Sequence, residues 1–166
     1  DSEVCYIDRF LNFSFSFREY LSHLKSNESS ECIFLLSQSF AALLPVAAGG
    51  SIVNILDERV KNLHGDYLSY SLSKAGLWAL TQSLAVALAP RIRVNGIGPG
   101  YTLPEHGATQ ADFDEATARL PLGRGTSPDE ICQALRFLLA CKSICGQILI
   151  LDGGHHFAGR RRVEEI

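Results

Sequence analysis

No run of this sequence approaches 18 unbroken apolar residues, so no segment reads as a membrane-spanning helix. There is no basic excess. Lys plus Arg is 15 against 18 for Asp plus Glu, a formal charge of -3, which gives no general attraction for a nucleic-acid backbone. The single basic run, Arg160-Arg161-Arg162, reads as a solvated tail. The opening residues, Asp1-Ser2-Glu3, lack the basic start and apolar core of a secretory signal. The five Cys are an odd number with no paired short spacing. Cys141 and Cys145 stand four apart, which fits neither a redox pair nor the common zinc pattern. Buried, reduced thiols in a cytoplasmic protein are the expectation. A Gly-x-Ser-x-Gly elbow is absent, so a serine hydrolase finds no support. His155 and His156 have no Cys or acidic partners at ligand spacing, and no metal site is expected.

What is present is ordinary globular material. The chain has 166 residues, 46% apolar and 20% charged, enough for one domain with a buried core. Its texture changes near residue 32. Residues 1–31 read as an irregular leader, with Phe10, Phe13, Phe15 and Phe17 in loose alternation and then the polar stretch 26–31. Residues 32–157 are orderly, and 158–166 form a charged tail.

Within 32–157, Ile33 to Leu44 reads as a buried helix closed by Pro45. Ser51 to Leu56 is a short β-branched run, expected as a strand buried on both faces. Tyr67 to Ala89 carries Leu72, Leu77, Leu80, Leu84 and Leu88 in a helical pattern, which predicts a long helix ended by Pro90. Arg91 to Ile97 predicts a second strand, with Gly98-Pro99-Gly100 as a turn. Ala111 to Arg119 predicts a short helix. Ser127, Pro128 and Glu130 mark the start of another that reaches Ala140. Gln147 to Leu151 predicts a third strand, stopped by Asp152-Gly153-Gly154. Strands alternating with helices imply parallel βαβ units. Three strands make a thin sheet with an exposed edge unless another segment covers it.

The chemistry centres on Tyr70 and Lys74. A spacing of four places both on one helix face. A nearby cation lowers a phenol's pKa by roughly 1–3 units, and such a phenol can exchange a proton near neutral pH. Asp57 lies just past the first strand, thirteen positions before Tyr70. An ionised Asp there raises the phenol pKa against Lys74. Pro99, Gly100 and Thr102 follow the second strand, and Asp152-Gly153-Gly154 the third. In open α/β sheets, ligands bind beyond the carboxyl ends of the strands.

Together, Gly49–Leu56, Tyr70-x-x-x-Lys74, Arg91–Gly100, Pro121-Leu122-Gly123-Arg124 and Leu151-Asp152-Gly153-Gly154 resemble the short-chain dehydrogenase/reductases over residues 32–157. The resemblance implies a Rossmann-like, doubly wound parallel α/β sheet and an NADP(H)-dependent oxidoreductase, with NAD(H) as the alternative. It implies Tyr70 as proton donor, with Lys74 lowering its pKa and holding the nicotinamide ribose. Pro99, Gly100 and Thr102 would line the nicotinamide. Where the family usually has Ser, this chain has Asp57. That is similar to the pteridine reductases, implying a dihydropteridine- or dihydrofolate-like substrate, or another carbonyl or imine, and a proton relay through Asp57.

Two features of the family pattern are missing. No glycine-rich turn follows an early strand to cradle a pyrophosphate, and the N-terminal βαβ units are not legible. The expectation is a partial Rossmann fold, from truncation, a frameshift or a true short paralogue, with weak or no cofactor binding by this chain alone. The position that usually supplies a relay Asn falls at Ser29. Substrate choice is assigned to Tyr101–Gln110. Helices 33–44 and 67–89 are expected to form a homo-oligomer. The alternative function is a non-catalytic interaction module or inert relic.

Overall fold

The computed structural model describes residues 28–157 apart from 64 and 66, with side chains described from residue 32. The leader as far as residue 27 and the tail from 158 lie outside the described residues. Helix α1 spans Glu28–Leu43, strand β1 Gly50–Ile55, α2 Leu68–Ala87, β2 Ile92–Pro99, α3 Gln110–Ala118, α4 Pro128–Ala140 and β3 Ile148–Leu151. Two 3-10 turns, Glu58–Val60 and His155–Phe157, follow β1 and β3.

The three strands form one parallel sheet in the order β1-β2-β3. Strand β2 is central, and its side chains alternate between two covered faces. Ile92 and Val94 join Phe34 of α1 and Leu77, Leu80, Leu84 and Ala85 of α2 in the main core. Each fully buried Leu contributes about 1.5–3 kcal/mol. On the opposite face, Arg93 donates to Leu139 O of α4 and to Ile144 O. Buried Asn95 donates to Ile144 O at 2.9 Å and accepts from the Gln147 amide at 3.0 Å. Those bonds pin the α4–β3 connection to the central strand. Helices thus cover both faces, and the expected α/β fold class is found as a partial Rossmann-like sheet.

The element boundaries differ from expectation in instructive ways. Helix α1 begins at Glu28, inside the supposed leader. Strand β2 runs through Gly98-Pro99, read above as a turn; Gly98 pairs with Ile150 and Pro99 with Leu151. The turn begins only at Gly100 because β3 offers partners for two further residues. Strand β1 is not buried on both faces. Only Asn54 in it is buried, since β1 lies at the sheet edge with no second strand partner among the described residues. The described cysteines are free, but none is buried: Cys32 and Cys132 are exposed, and Cys141 and Cys145 half-buried.

Helix α4 starts as the sequence indicates. Ser127 accepts from the Glu130 amide at 3.2 Å while Glu130 accepts from the Ser127 amide at 3.0 Å. Arg124, first, and this cap hold the Glu130 carboxyl down at about 2. An equivalent box of Thr109 and Asp112 opens α3, a cap not read from the sequence.

Candidate active site

Parallel strands end together, so the segments after β1, β2 and β3 meet along one sheet edge. Asp57 caps the first 3-10 turn there, its Oδ1 accepting from the Arg59 amide at 2.9 Å. Helix α2 runs back along the sheet from the same edge. Buried Asn54 donates to Thr81 of α2 at 2.9 Å, which fixes how helix and strand lie together. The first turns of α2 are thereby set beside Asp57, and the Tyr70 hydroxyl donates to Asp57 Oδ2 at 2.7 Å. Lys74, one turn along, donates to Ile55 O at 3.2 Å, with its Nζ 5.7 Å from the Tyr70 ring centroid.

The electrostatics differ from expectation in one respect. The Tyr70 phenol is pushed well above its ordinary value, first by burial, then by the hydrogen bond to Asp57 and by that carboxylate's charge. Arg59, not Lys74, supplies the opposing positive charge. The Lys74 ammonium is itself pulled down by burial, against the raising effect of Asp57. The expected lowering of the phenol by Lys74 is not found; the lowering charge is that of Arg59. The raising effect of Asp57 is as expected.

A cleft of about 250 Å³ opens beside this pair, lined by Asp57, Gly100, Tyr101, Thr102, Glu105 and His155 among others. A neighbouring hollow of about 260 Å³ is lined by Asp57, Arg59, Tyr67, Tyr70 and Glu105. Gly100 and Thr102 therefore reach the site as expected. Pro99 does not line either hollow, because it is still inside β2. Gly100 also has a packing reason to be glycine: a Cβ there would stand 2.7 Å from the Asp152 Cβ. Thr102 donates to Gly100 O at 2.9 Å, which holds the start of the following loop.

Sequence reasoning missed several lining residues. Arg59 lies with its guanidinium carbon 4.8 Å from the Tyr67 ring centroid. Tyr67 is the described non-glycine residue with positive φ, 53°, a conformation that collects at functional sites. Buried Glu58 pairs with half-buried His155, their Oε1 and Nδ1 3.0 Å apart. A residue next to Asp57 was a signal for Glu58; nothing local pointed to His155. Among the described residues no group of three or more potential ligands could hold a metal ion.

Comparison with known proteins agrees with this geometry. The family described as enoyl-(acyl carrier protein) reductase matches residues 23–156. Carbonyl reductase family member 4 of Danio rerio is 44% identical over 107 residues, covering 64% of this chain and 45% of that protein. A 3-oxoacyl-(acyl-carrier-protein) reductase of Thermotoga maritima is 33% identical over 140 residues, covering 77% of this chain and 54% of its own. Among solved structures, FolM alternative dihydrofolate reductase 1 from Brucella suis, in complex with NADP, superposes with a TM-score of 0.74 at 42% identity. That match covers 76% of this chain and 51% of the other. The chain spans about half the length of the curated relatives it matches. Motifs, sheet topology and family match agree that the chain belongs to the short-chain dehydrogenase/reductase family.

Proposed function

We propose that these residues carry the proton-transfer side of an NADP(H)-dependent reductase acting on a dihydropteridine- or dihydrofolate-like substrate. The observation that carries the reading is the 2.7 Å hydrogen bond from Tyr70 to Asp57, with Lys74 one helical turn away. A phenol held above its ordinary pKa stays protonated at neutral pH. It therefore holds the proton that a reduction requires, while the same shift makes it a weaker acid than a free phenol. Asp57 receives the hydroxyl's hydrogen bond and can pass a proton on from water. The likeness to a dihydrofolate reductase of the FolM type supports this substrate class over the acyl-carrier and carbonyl classes of the other relatives.

The donor set at the sheet edge fits the nicotinamide end of a dinucleotide. Tyr70 and Lys74 would hold its ribose hydroxyls, and Gly100 and Thr102 would border the ring. A bound nicotinamide supplies the hydride. The described residues hold no glycine-rich turn leading from a strand into a helix N-terminus, the usual grip on a pyrophosphate. Binding by these residues alone is therefore weak, about millimolar, or about 4 kcal/mol. Titrating NADPH into the chain while following nicotinamide fluorescence tests this, with a Tyr70→Phe, Lys74→Ala double variant as control. Micromolar binding that survives in the control would sink the assignment of these two residues. Turnover of a dihydropteridine tests the reaction, and Asp57→Ser is expected to shift its pH profile. An unshifted profile would remove Asp57 from the proton path.

A role in assembly is supported by a separate observation. Helices α1 and α2 expose Leu36, Leu43, Leu72 and Val86, at 69%, 83%, 64% and 82%. Such apolar surface marks contact with another chain. Residues 33–44 and 67–89 are therefore read as a homo-oligomer surface. Light scattering behind size exclusion should give at least a dimer, and Leu72→Glu with Val86→Glu should return a monomer. A monomer before substitution contradicts this. No described helix is long and apolar enough to cross a membrane. A cytoplasmic setting, a small-molecule substrate and no nucleic-acid partner complete the reading.

A further inference from the structure

Glu58 is 2% exposed, although it borders the cleft. A carboxylate removed from water is costly unless a donor replaces the water. The donor here comes from the far end of the chain. His155 Nδ1 lies 3.0 Å from Glu58 Oε1, and the His155 ring rests against Tyr101 with centroids 5.2 Å apart. The pair joins the 3-10 turn after β1 to the 3-10 turn after β3, across the edge where the site lies. Proton transfer between Tyr70 and Asp57 uses neither residue.

The place of Glu58 in the chain gives the pair a consequence for Asp57. Glu58 follows Asp57 directly. The Asp57 carboxylate has two donors on either side of it in the fold, the Arg59 amide on Oδ1 and the Tyr70 hydroxyl on Oδ2. Anchoring the Glu58 side chain fixes the backbone between Asp57 and Arg59, and so the direction of the Asp57 carboxylate. We propose that Glu58 and His155 are a positioning pair, tying two turns together so that Asp57 meets the Tyr70 hydroxyl. The inference rests on reading Asp57 and Tyr70 as the proton-transfer pair.

Two substitutions in the whole chain separate positioning from general stabilisation. Glu58→Gln keeps an oxygen that accepts from Nδ1–H. His155→Phe keeps a ring against Tyr101 but removes the donor. The Arg59 amide reports the Asp57 carboxylate directly, and hydrogen exchange at that amide needs neither cofactor nor turnover. The Leu88 and Gly96 amides, bonded to Leu84 O and Gln147 O, serve as references for the fold. In His155→Phe, the Arg59 amide should exchange about tenfold faster with both references unchanged, and in Glu58→Gln it should stay within about threefold of the parent. Exchange at Arg59 that is unchanged in His155→Phe overturns the proposal. So does a rise shared equally by the references, because the pair is then only a staple. Turnover gives an independent reading: His155→Phe should lower kcat about tenfold while the nucleotide KM stays within about threefold. Should the proton-transfer reading itself be wrong, Tyr70→Phe will leave turnover unchanged whatever the Arg59 amide does.

Discussion

Tyr70→Phe is expected to lower dihydropteridine turnover by about 10²–10⁴-fold, the usual worth of a positioned acid. The substitution deletes one oxygen from a side chain that is 43% exposed, so the fold should be little disturbed. The lost atom is the donor in the 2.7 Å bond to Asp57. Of the two neighbouring cations, Lys74 is committed to Ile55 O, and Arg59 lies over Tyr67. Nucleotide affinity should change by less than about tenfold, since one hydrogen bond contributes about 0.5–1.5 kcal/mol. The check is steady-state kinetics of both proteins with nucleotide saturating. A variant that turns over within about threefold of its parent would show that the proton comes from elsewhere.

Gly153→Ala carries the largest expected cost to stability. Gly153 has φ of 62°, and a Cβ there would lie 2.2 Å from the Arg124 carbonyl oxygen. The backbone conformation alone costs a non-glycine residue about 1–2 kcal/mol. The clash is with main chain, which cannot swing aside as a side chain can. Nearby, buried Asp152 accepts from the Gly154 and His156 amides and contacts the His156 ring. Moving Gly153 therefore disturbs that cluster as well. The total should exceed about 4 kcal/mol, the range reserved for strained or clashing sites. Gly107→Ala is the internal comparison. Its φ is 88°, but a Cβ there meets nothing within 4 Å, so only the conformational cost of about 1–2 kcal/mol applies. Urea unfolding of the two variants should separate them clearly. Equal midpoints would contradict the contact argument.

Much of the architecture was legible because its signals are local. The Ser127, Pro128 and Glu130 cap forms within four residues and appears where expected. Leu77, Leu80 and Leu84 lie on one face of α2 and are buried together. Boundaries were less legible where a neighbour decides them. Pro99 belongs to β2 because Leu151 stands beside it, and no pattern within Ile92–Pro99 contains that information. The edge position of β1 likewise depends on strand order and not on its β-branched composition.

The candidate site divides along the same line. The sequence by itself determined that Tyr70 and Lys74 share a helix face, since four residues make about one turn. It also placed Asp57 at a strand end, and it set the order of motifs that marks the family. Only the tertiary structure decided which groups touch. It aimed Asp57 at the Tyr70 hydroxyl, sent Lys74 to a backbone carbonyl, and raised the phenol through burial. It also brought His155 from beyond the last strand to a buried Glu58. The reason is that periodicity fixes the direction of a side chain on its own element. The desolvation and the partner of that side chain depend on segments far away in the chain, and in a parallel sheet those segments meet only once all the strands are aligned.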